Sequence, residues 1–241
     1  MTSQHAPKNS WWIVDLSQIA YGPALDLQHQ VLSAVQSKSI DNGVVLMLEH
    51  APVFTMGRRG GYENLCVTDE VLTRAGIDLV TTERGGDITY HAPGQLIAYP
   101  IIDLRKTRLG VVDFVTALEE VMIRTAADFG VETERNDLNR GVWMGSKKIG
   151  SIGIAVRRGV SFHGLALNVN TDLTPFSWIN PCGLSGVGVT SFQNELKKSI
   201  DMVEARNVLA KYIAEVFNIE LQKQTLETLY KRLPPGCTSS N

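Results

Sequence analysis

The sequence predicts an α+β fold with a mixed or largely antiparallel β-sheet flanked by helices. Strand patterns follow one another in the middle of the chain, whereas helical patterns lie toward both ends and between strands. This arrangement argues against a regular βαβ repeat. The chain has 241 residues and no repeat or linker, so it fits one domain with a large core. We predict that domain over residues 11–233, between tails at 1–10 and 234–241, with a small C-terminal subdomain as the alternative.

The first part of the chain alternates between strand and helix patterns. Residues 11–16 form a short aromatic and β-branched run, which is typical of a strand. Pro23 opens a helical pattern, and proline suits a first turn because its missing N–H is not needed there. Residues 44–48 form a continuous apolar run with the length of a buried strand. A short helix is predicted over Asp69–Ala75, because Gly76 follows directly and can end it.

The second half contains the clearest helix, over residues 110–129, where apolar side chains recur at helical spacing before Gly130. We interpret that apolar stripe as core packing; it consists of Phe114, Leu118, Val121, Met122, Thr125 and Phe129. Four consecutive strands are then predicted, at 131–135, 142–144, 148–157 and 160–170. The remaining predictions are an irregular stretch at 173–187, a helix at 200–217, a short strand at 219–221 and a last helix near 225–233.

A glycine-rich stretch at residues 84–95 separates two apolar runs, and a strand is predicted on each side of it. Gly85, Gly86 and Gly94 bracket a hydroxyl, a phenol and an imidazole, and a cation, Arg84, directly precedes them. Glycine lets a main chain approach a ligand closely or adopt a positive φ. We interpret the stretch as a loop that lines a pocket, with an ordinary glycine-rich hairpin as the alternative. Residues 54–61 form a second glycine-rich loop, which carries two arginines.

Composition narrows the functional classes. Apolar residues make up 44% of the chain and charged residues 20%, as in ordinary soluble globular proteins. The net charge of −2 gives no bulk argument for binding nucleic acid or a membrane, and no apolar run approaches the roughly 20 residues of a membrane span. Three cysteines without a C-x-x-C spacing indicate a reducing compartment. Because the first ten residues are polar and carry no signal-peptide pattern, we predict a cytoplasmic protein.

Cys182 is a candidate nucleophile. Pro181 precedes it and Gly183 follows it, which fixes a sharp local backbone and leaves the sulfur accessible. A cysteine becomes nucleophilic when a nearby cation or helix N-terminus stabilises its thiolate. The alternative interpretation is a free thiol in a loop.

Lys148 begins a predicted strand in which Gly150, Ser151 and Gly153 are small. Small residues weaken a strand unless something approaches its backbone, so this strand is a candidate wall of a groove. At the rim of that groove Lys148 could deliver its ammonium to a bound thiol or, with a pKa lowered by burial, act as a base. A solvated surface lysine is the alternative, and Lys147 is expected to point the other way if the strand is correct.

His91 and His163 are further candidates, and for His163 a hydrogen-bonded core histidine is the alternative. Neither residue has a cysteine or carboxylate at ligand spacing, so no zinc site is predicted. The glycine loops match neither G-x-x-x-x-G-K-[ST] nor G-x-G-x-x-G, and the chain contains no G-x-S-x-G. A nucleotide phosphate site and a serine nucleophile elbow are therefore not indicated.

Several short blocks of this sequence match the motifs of a known protein family, in the same order along the chain. The longest is Arg84-Gly85-Gly86-x-x-Thr89-Tyr90-His91-x-x-Gly94-Gln95-x-x-x-Tyr99. The next are Lys148-Ile149-x-Ser151-Ile152-Gly153, Phe162-His163-Gly164-Leu165-Ala166-Leu167-Asn168 and Asn180-Pro181-Cys182-Gly183. An N-terminal block, Glu49-His50-x-Pro52 with Gly57-Arg58, has Ala51 where a second proline is common. Over roughly residues 11–221 the chain resembles the lipoyl(octanoyl) transferases.

The resemblance implies a fold similar to that of lipoate and biotin protein ligases, with residues 11–233 as the catalytic domain. It implies transfer of an octanoyl group from acyl carrier protein to a specific lysine of lipoyl domains, those of 2-oxoacid dehydrogenase complexes and the glycine cleavage H protein. Cys182 is then the acyl-thioester nucleophile and Lys148 its dyad partner, which lowers the thiol pKa. The implied substrate-binding residues are Arg84, Gly85, Gly86, Asp87, Ile88, Thr89, Tyr90, His91, Ser151, Ile152, Gly153, Gly164, Leu165 and Ala166. No metal, cofactor, nucleic acid or membrane is expected.

Three other functions remain open at this point. They are an ATP-dependent lipoate or biotin ligase of the same fold, an acyl thioesterase in which water replaces the lysine acceptor, and a non-catalytic acyl-binding module. A docking patch for acidic carrier proteins is also expected, with solvated turn charges as the alternative. Its expected members are among Arg58, Arg59, Arg140, Lys147, Arg157 and Arg158.

Overall fold

The computed structural model describes residues 10–41, 43–180 and 187–234. Its strands are β1 (Ser10–Ile19), β2 (Gly43–His50), β3 (Val53–Met56), β4 (Asp78–Thr81), β5 (Ile88–His91), β6 (Gln95–Ile101), β7 (Val142–Met144), β8 (Lys147–Arg157), β9 (Val160–Asn168), β10 (Gly188–Val189) and β11 (Glu220–Lys223). Its α-helices are α1 (Tyr21–Gln36), α2 (Asp69–Ala75), α3 (Leu104–Thr107), α4 (Val111–Asp128), α5 (Phe192–Leu196), α6 (Met202–Val216) and α7 (Leu226–Tyr230), with 3-10 turns at Tyr62–Asn64 and Thr174–Trp178.

The strands form a large mixed sheet and a small one. The order in the large sheet is β10-β8-β9-β6-β2-β1-β11, with β7 paired to β8. Its central pairs, β2–β6, β6–β9 and β8–β9, are antiparallel, whereas β1 pairs in parallel with β2 and β11. The small sheet has the order β4-β3-β5. This architecture confirms the predicted α+β fold with a mixed sheet.

Helices cover both faces of the large sheet. On one face α4 and α6 enclose a core that includes Leu96, Leu165 and Leu167, and on the other face α1 packs over Leu46, Ile97 and Phe162. The stripe predicted along α4 is confirmed as core, because Phe114, Leu118, Val121, Met122 and Thr125 are buried and Phe129 is partly buried. The central strands β8, β9 and β6 are thereby held between two apolar layers.

The prediction of a strand at 131–135 was wrong. Only an isolated bridge joins Glu134 to Trp143, through hydrogen bonds of 2.8 and 2.9 Å. Val131 is buried, but Glu132, Glu134 and Arg135 are exposed, so the segment offers no apolar face that would hold it in the sheet.

The glycine-rich stretch at 84–95 is not a loop throughout. Residues 88–91 form β5, which pairs antiparallel with β3. Ile88 and Tyr90 bury their side chains beneath this small sheet beside Phe54, and this burial stabilises the strand. The loop that was predicted is divided into two short turns, at 84–87 and 92–94.

Among the described residues, no helix has the length and apolar character that a membrane span requires.

Candidate active site

A cavity of about 220 Å³ lies where the turn at 84–87 meets β8 and β9. It is lined by Lys148 and by most of the predicted substrate-binding residues: Arg84, Gly85, Gly86, Asp87, Ile88, Thr89, His91, Ser151, Ile152, Gly153, Gly164, Leu165 and Ala166. Segments that are distant in sequence therefore meet around one space.

Tyr90 is placed elsewhere. Its ring centroid lies 5.1 Å from that of Phe54 and 5.5 Å from that of Phe176, within the core beneath the small sheet. Because side chains alternate along a strand, Tyr90 faces away from Thr89 and His91. Its ring supports β5 from behind.

Glycines on β8 and β9 allow the cavity to form. Gly153 and Gly164 are cross-strand partners. A Cβ on Gly164 would lie 2.1 Å from the Ala98 carbonyl oxygen, and one on Gly153 would lie 2.8 Å from the Gly85 oxygen. With that space open, the Gly85 N–H donates a hydrogen bond of 2.8 Å to the carbonyl of Ile154. The turn at 84–87 is thus seated directly on the sheet.

The arginine-bearing loop holds this turn from its other side. The N–H groups of Gly57, Arg58 and Arg59 donate to the carbonyls of Asp87, Arg84 and Gly86, at 3.2, 3.0 and 3.0 Å respectively. A Cβ on Gly57 would lie 2.5 Å from the Gly86 oxygen, so this close stacking requires glycine. The two glycine-rich stretches identified in the sequence therefore form one layered wall.

Arg84 is a buried cation in that wall. Its guanidinium donates to the carbonyl and the hydroxyl of Thr55 on β3 and to the carbonyl of Gly85. The hydrogen bonds fix the plane of the guanidinium against the small sheet, since a planar fork of donors loses little freedom when it is paired.

His91 lies in the wall with a defined tautomer. Its Nδ1 lies 2.7 Å from Gln95 Oε1, and Gln95 Nε2 donates to Asn168 Oδ1 at 2.9 Å. The amide oxygen can only accept, so Nδ1 carries the proton and Nε2 is an acceptor. Burial, followed by the neighbouring His50 and Arg84, lowers the pKa of His91 well below its ordinary value. The ring is therefore neutral at neutral pH.

His50 and Tyr99 form a second buried pair. His50 Nδ1 lies 2.8 Å from the Ile19 carbonyl, which can only accept, so the Tyr99 hydroxyl donates to Nε2 at 2.8 Å. Burial lowers the pKa of His50 to about 4 and raises the pKa of Tyr99 well above its ordinary value. Both groups are uncharged near neutrality.

His163 lines the cavity from β9 with an unusual backbone. Its φ is +56°, a left-handed conformation that is uncommon outside glycine, and its N–H donates to Gln28 Oε1 at 2.8 Å. Thr82 Oγ1 lies 3.5 Å from Nε2 and accepts from the Tyr21 hydroxyl at 3.0 Å. Burial, with Arg84 as the second cause, lowers the pKa of His163 to about 3.

Lys148 is not a solvated surface lysine. It is 5% exposed, its ammonium donates to the Arg140 carbonyl at 2.9 Å, and Nζ lies 5.3 Å from the centroid of the Trp143 ring. The neighbouring Lys147 is exposed, with Nζ 3.5 Å from Glu195, as strand alternation requires. The structure therefore holds a buried amine at one wall of the cavity.

Cys182 lies outside the described residues, so its role stays a prediction. The described chain resumes after it at residue 187 and enters β10, where Val189 pairs with Lys148. Thr190 N–H then donates to the Lys148 carbonyl at 2.9 Å. Residues 189 and 190 thus lie beside Lys148.

Sequence reasoning missed several residues that line the cavity, namely Tyr21, Val115, Asn139 and Ile154. Tyr21 opens α1 and Val115 lies beside the core stripe of α4, so neither position differs in pattern from its neighbours. Only the packing of distant elements brings these side chains to the cavity.

The cavity adjoins an open polar depression on the protein surface. Arg59, Asn139 and Arg140 line both spaces, and Glu119 with residues 136–138 completes the depression. Arg59 and Arg140 are exposed. Of the predicted docking cations, Arg140 pairs with Glu119, Lys147 with Glu195 and Arg157 with Glu83, while Arg58 and Arg59 project from the loop beside the depression.

Residues 20–214 match the family model of the lipoyl protein ligase A/B catalytic domain. An octanoyltransferase from Desulfotalea psychrophila is 50% identical over 208 residues, which cover 86% of this chain and 93% of that protein. A crystal structure of lipoate-protein ligase A bound with ATP superposes with a TM-score of 0.71 at 18% identity, over 94% of this chain and 93% of that one. The bipartite lipoate protein ligase of Thermoplasma acidophilum gives a TM-score of 0.69 at 19% identity, over 92% and 91%.

Proposed function

The chain belongs to the lipoyl protein ligase A/B catalytic domain family, and we propose that it is an octanoyltransferase that works through an enzyme thioester. The observation that carries this proposal is the buried ammonium of Lys148 at the wall of the cavity, in a chain 50% identical to an octanoyltransferase. Because its sparse cysteines indicate a reducing compartment, we place the reaction in the cytoplasm.

The first half-reaction forms the thioester. The ammonium of Lys148 favours the thiolate of Cys182, which attacks the carbonyl carbon of octanoyl-acyl carrier protein. A new carbon–sulfur bond forms to Cys182, the bond to the carrier sulfur breaks, and the carrier leaves as a thiol after taking a proton from the Lys148 ammonium, which leaves Lys148 as a neutral amine. Covalent catalysis divides the transfer in two, so donor and acceptor need not be bound together.

The second half-reaction releases the product. The ε-amine of a lipoyl-domain lysine attacks the thioester carbonyl, loses a proton to the now neutral Lys148 amine, and displaces the Cys182 sulfur as a thiolate, which restores the starting ammonium and thiolate. The acceptors are the lipoyl domains of 2-oxoacid dehydrogenase complexes and the glycine cleavage H protein. Conversion of a thioester to an amide is downhill, so the reaction requires no ATP.

The size of the cavity suits one short acyl chain. About 220 Å³ is below the range of roughly 300–1,000 Å³ of pockets for drug-sized ligands. Ile152, Leu165 and Ala166 supply apolar surface along it. Each buried methylene contributes about 0.8 kcal/mol, so a few of them separate an octanoyl chain from shorter ones.

The mouth of the cavity suits an acidic carrier protein. Arg59 and Arg140 stand where the cavity meets the polar depression, and Arg58 lies next to Arg59 on the same loop. Complementary charge at this rim would steer the carrier so that its acyl arm enters the cavity.

Intact-mass measurement tests the nucleophile. After incubation with octanoyl-acyl carrier protein, the wild-type protein is expected to gain one octanoyl group, whereas Cys182→Ala is expected to gain none. Cys66→Ala is the matched control, because Cys66 is exposed and outside the cavity. An adduct that survives in Cys182→Ala would remove Cys182 from the mechanism.

Incubations with other substrates separate the rival functions. An ATP-dependent ligase would acylate a lipoyl domain from free octanoate and ATP, and a thioesterase would release free octanoate without a lipoyl domain. We expect neither product. A binding module would retain octanoyl carrier without any covalent adduct.

A further inference from the structure

The carboxylate of Glu119 lies behind Lys148 and has no part in the mechanism above. Glu119 is on α4 and its side chain is 2% exposed. Its Oε1 accepts a hydrogen bond of 2.9 Å from the Gly141 N–H. Its Oε2 lies 3.2 Å from Arg140 Nη1 and 3.3 Å from Arg135 Nε. A buried carboxylate is thus aimed at the chain segment that receives the Lys148 ammonium.

One peptide group joins the two charges. The Gly141 N–H and the Arg140 carbonyl belong to the same peptide unit, and in a trans peptide they point in opposite directions. Glu119 accepts from the N–H at 2.9 Å, while Lys148 Nζ donates to the carbonyl at 2.9 Å. A negative charge at the donor end and a positive charge at the acceptor end polarise the peptide in the same sense, so each hydrogen bond strengthens the other.

The local backbone is shaped for this contact. Gly141 has a φ of +129°, and a Cβ there would lie 2.7 Å from Lys148 Cε and 2.4 Å from the Gly150 oxygen. The Trp143 indole N–H donates to the Asn139 carbonyl at 3.2 Å, which places the ring beside the ammonium. The Arg140–Gly141 peptide therefore packs against the aliphatic part of Lys148 on one side and is hydrogen-bonded to Glu119 on the other.

We propose that Glu119 is a positioning residue for Lys148, acting through the Arg140–Gly141 peptide to favour the ammonium and aim it into the cavity. The effect of Glu119 on the rate of octanoyl transfer rests on the proposed function, whereas its effect on the protonation and position of Lys148 does not. The charged groups facing Glu119 are Arg135 and Arg140 from the adjoining segment, Arg59 and Asp137 across the surface depression that Glu119 also lines, and, beyond the peptide, Lys148 from β8.

Glu119→Gln tests this proposal, with Glu120→Gln as the matched control. Glutamine keeps an oxygen that can accept from Gly141 but removes the charge. Glu120 is the next residue of α4; it pairs with Arg124 and shares Arg135 with Glu119, whereas the Gly141 N–H is bound by Glu119. The titration of Lys148 is followed by NMR on lysine labelled with ¹³C at Cε, with Lys148→Arg to assign the resonance. We expect the midpoint to fall in Glu119→Gln and to stay at the wild-type value in Glu120→Gln.

The second readout is the rate of acyl-enzyme formation from octanoyl carrier. In metal sites, loss of an outer partner that orients a ligand costs about 10–100-fold. For the carboxylate that orients Lys148 we expect a loss of about 10-fold in Glu119→Gln and the wild-type rate in Glu120→Gln. An unshifted midpoint in folded Glu119→Gln overturns the proposal, whatever the rate. If the wild-type protein forms no acyl-enzyme, the proposed function is wrong. The midpoint of the Lys148 titration still tests the role of Glu119 in that case.

A reciprocal measurement leaves Glu119 in place. Lys148→Met removes the ammonium from the Arg140 carbonyl, so the Gly141 N–H becomes less polarised and its amide proton resonance is expected to move upfield. This variant addresses the same link if Glu119→Gln does not fold. A Gly141 resonance that stays at its wild-type position overturns the proposal.

Discussion

At the scale of single residues, the described part of the cavity combines buried cations with neutral imidazoles. Burial lowers the pKa of His50 to about 4 and that of His163 to about 3, and it lowers the pKa of His91 well below the ordinary value. These rings carry no charge near neutral pH. Arg84 is held by Thr55 on β3, and Lys148 presents a buried amine at the cavity wall.

The depressed pKa of His163 predicts a pH dependence of stability. The unfolded state keeps a value near 6.5 and the folded state has one of about 3. As the pH falls through this window, the unfolded chain takes up a proton that the folded protein refuses, so stability falls. His163→Asn removes the titration and tolerates the positive φ. Its unfolding free energy should depend less steeply on pH, by up to about 1.4 kcal/mol per pH unit.

Chemical denaturation at several pH values between about 4 and 6 measures this slope. The matched control is His29→Asn, because His29 is a half-exposed histidine of α1 outside the cavity. A His163→Asn slope identical to that of the wild-type protein would contradict the assigned titration.

At the scale of elements, periodic patterns were predictable and context-dependent ones were not. The apolar stripe of α4 and the buried run in β2 follow from spacing alone, because burial on a face repeats with the period of the element. β5 was missed because its four residues are stabilised by pairing with β3, more than thirty positions earlier. The short helices α3 and α5 carry caps at Asp103 and Ser191, but they are too short for a period to show.

The packing of β9 against β6 predicts the effect of Gly164→Ala. The new Cβ would meet the Ala98 carbonyl oxygen at 2.1 Å and Pro100 Cδ at 2.7 Å. Ala98 is paired with Leu165 in the ladder, so the strands cannot separate without losing hydrogen bonds. We expect destabilisation of about 1–3 kcal/mol, the usual cost of overpacking.

Urea denaturation checks this prediction, with Gly22→Ala as the control. Gly22 lies in α1, and a Cβ added there would meet no atom of the described residues within 4 Å. Alanine is also the better helix former, by about 0.5–1 kcal/mol, so this control should not be destabilised. Gly164→Ala as stable as the wild-type protein would mean that β9 and β6 are not held at this distance.

At the scale of the whole molecule, the sequence predicted most of the residues that line the cavity but not all of them. The glycine-rich stretches, Lys148 and the small residues of β8 and β9 carried signals in their own patterns. Tyr21 and Asn139 did not, because their place at the cavity depends on how distant elements pack. Glu119 adjoins the apolar stripe of α4, but no local pattern indicated that its partner would be the peptide beside Lys148.

The central claim is that this fold carries an octanoyl group on its own cysteine and passes it to a lysine without ATP. The most direct measurement isolates the octanoyl-enzyme from its carrier, mixes it with a lipoyl domain, and follows both masses over one turnover. We predict that the octanoyl mass leaves the enzyme and appears on the lipoyl-domain lysine, with no nucleotide present. An enzyme that never gains the group, or that loses it only to water, would contradict the account.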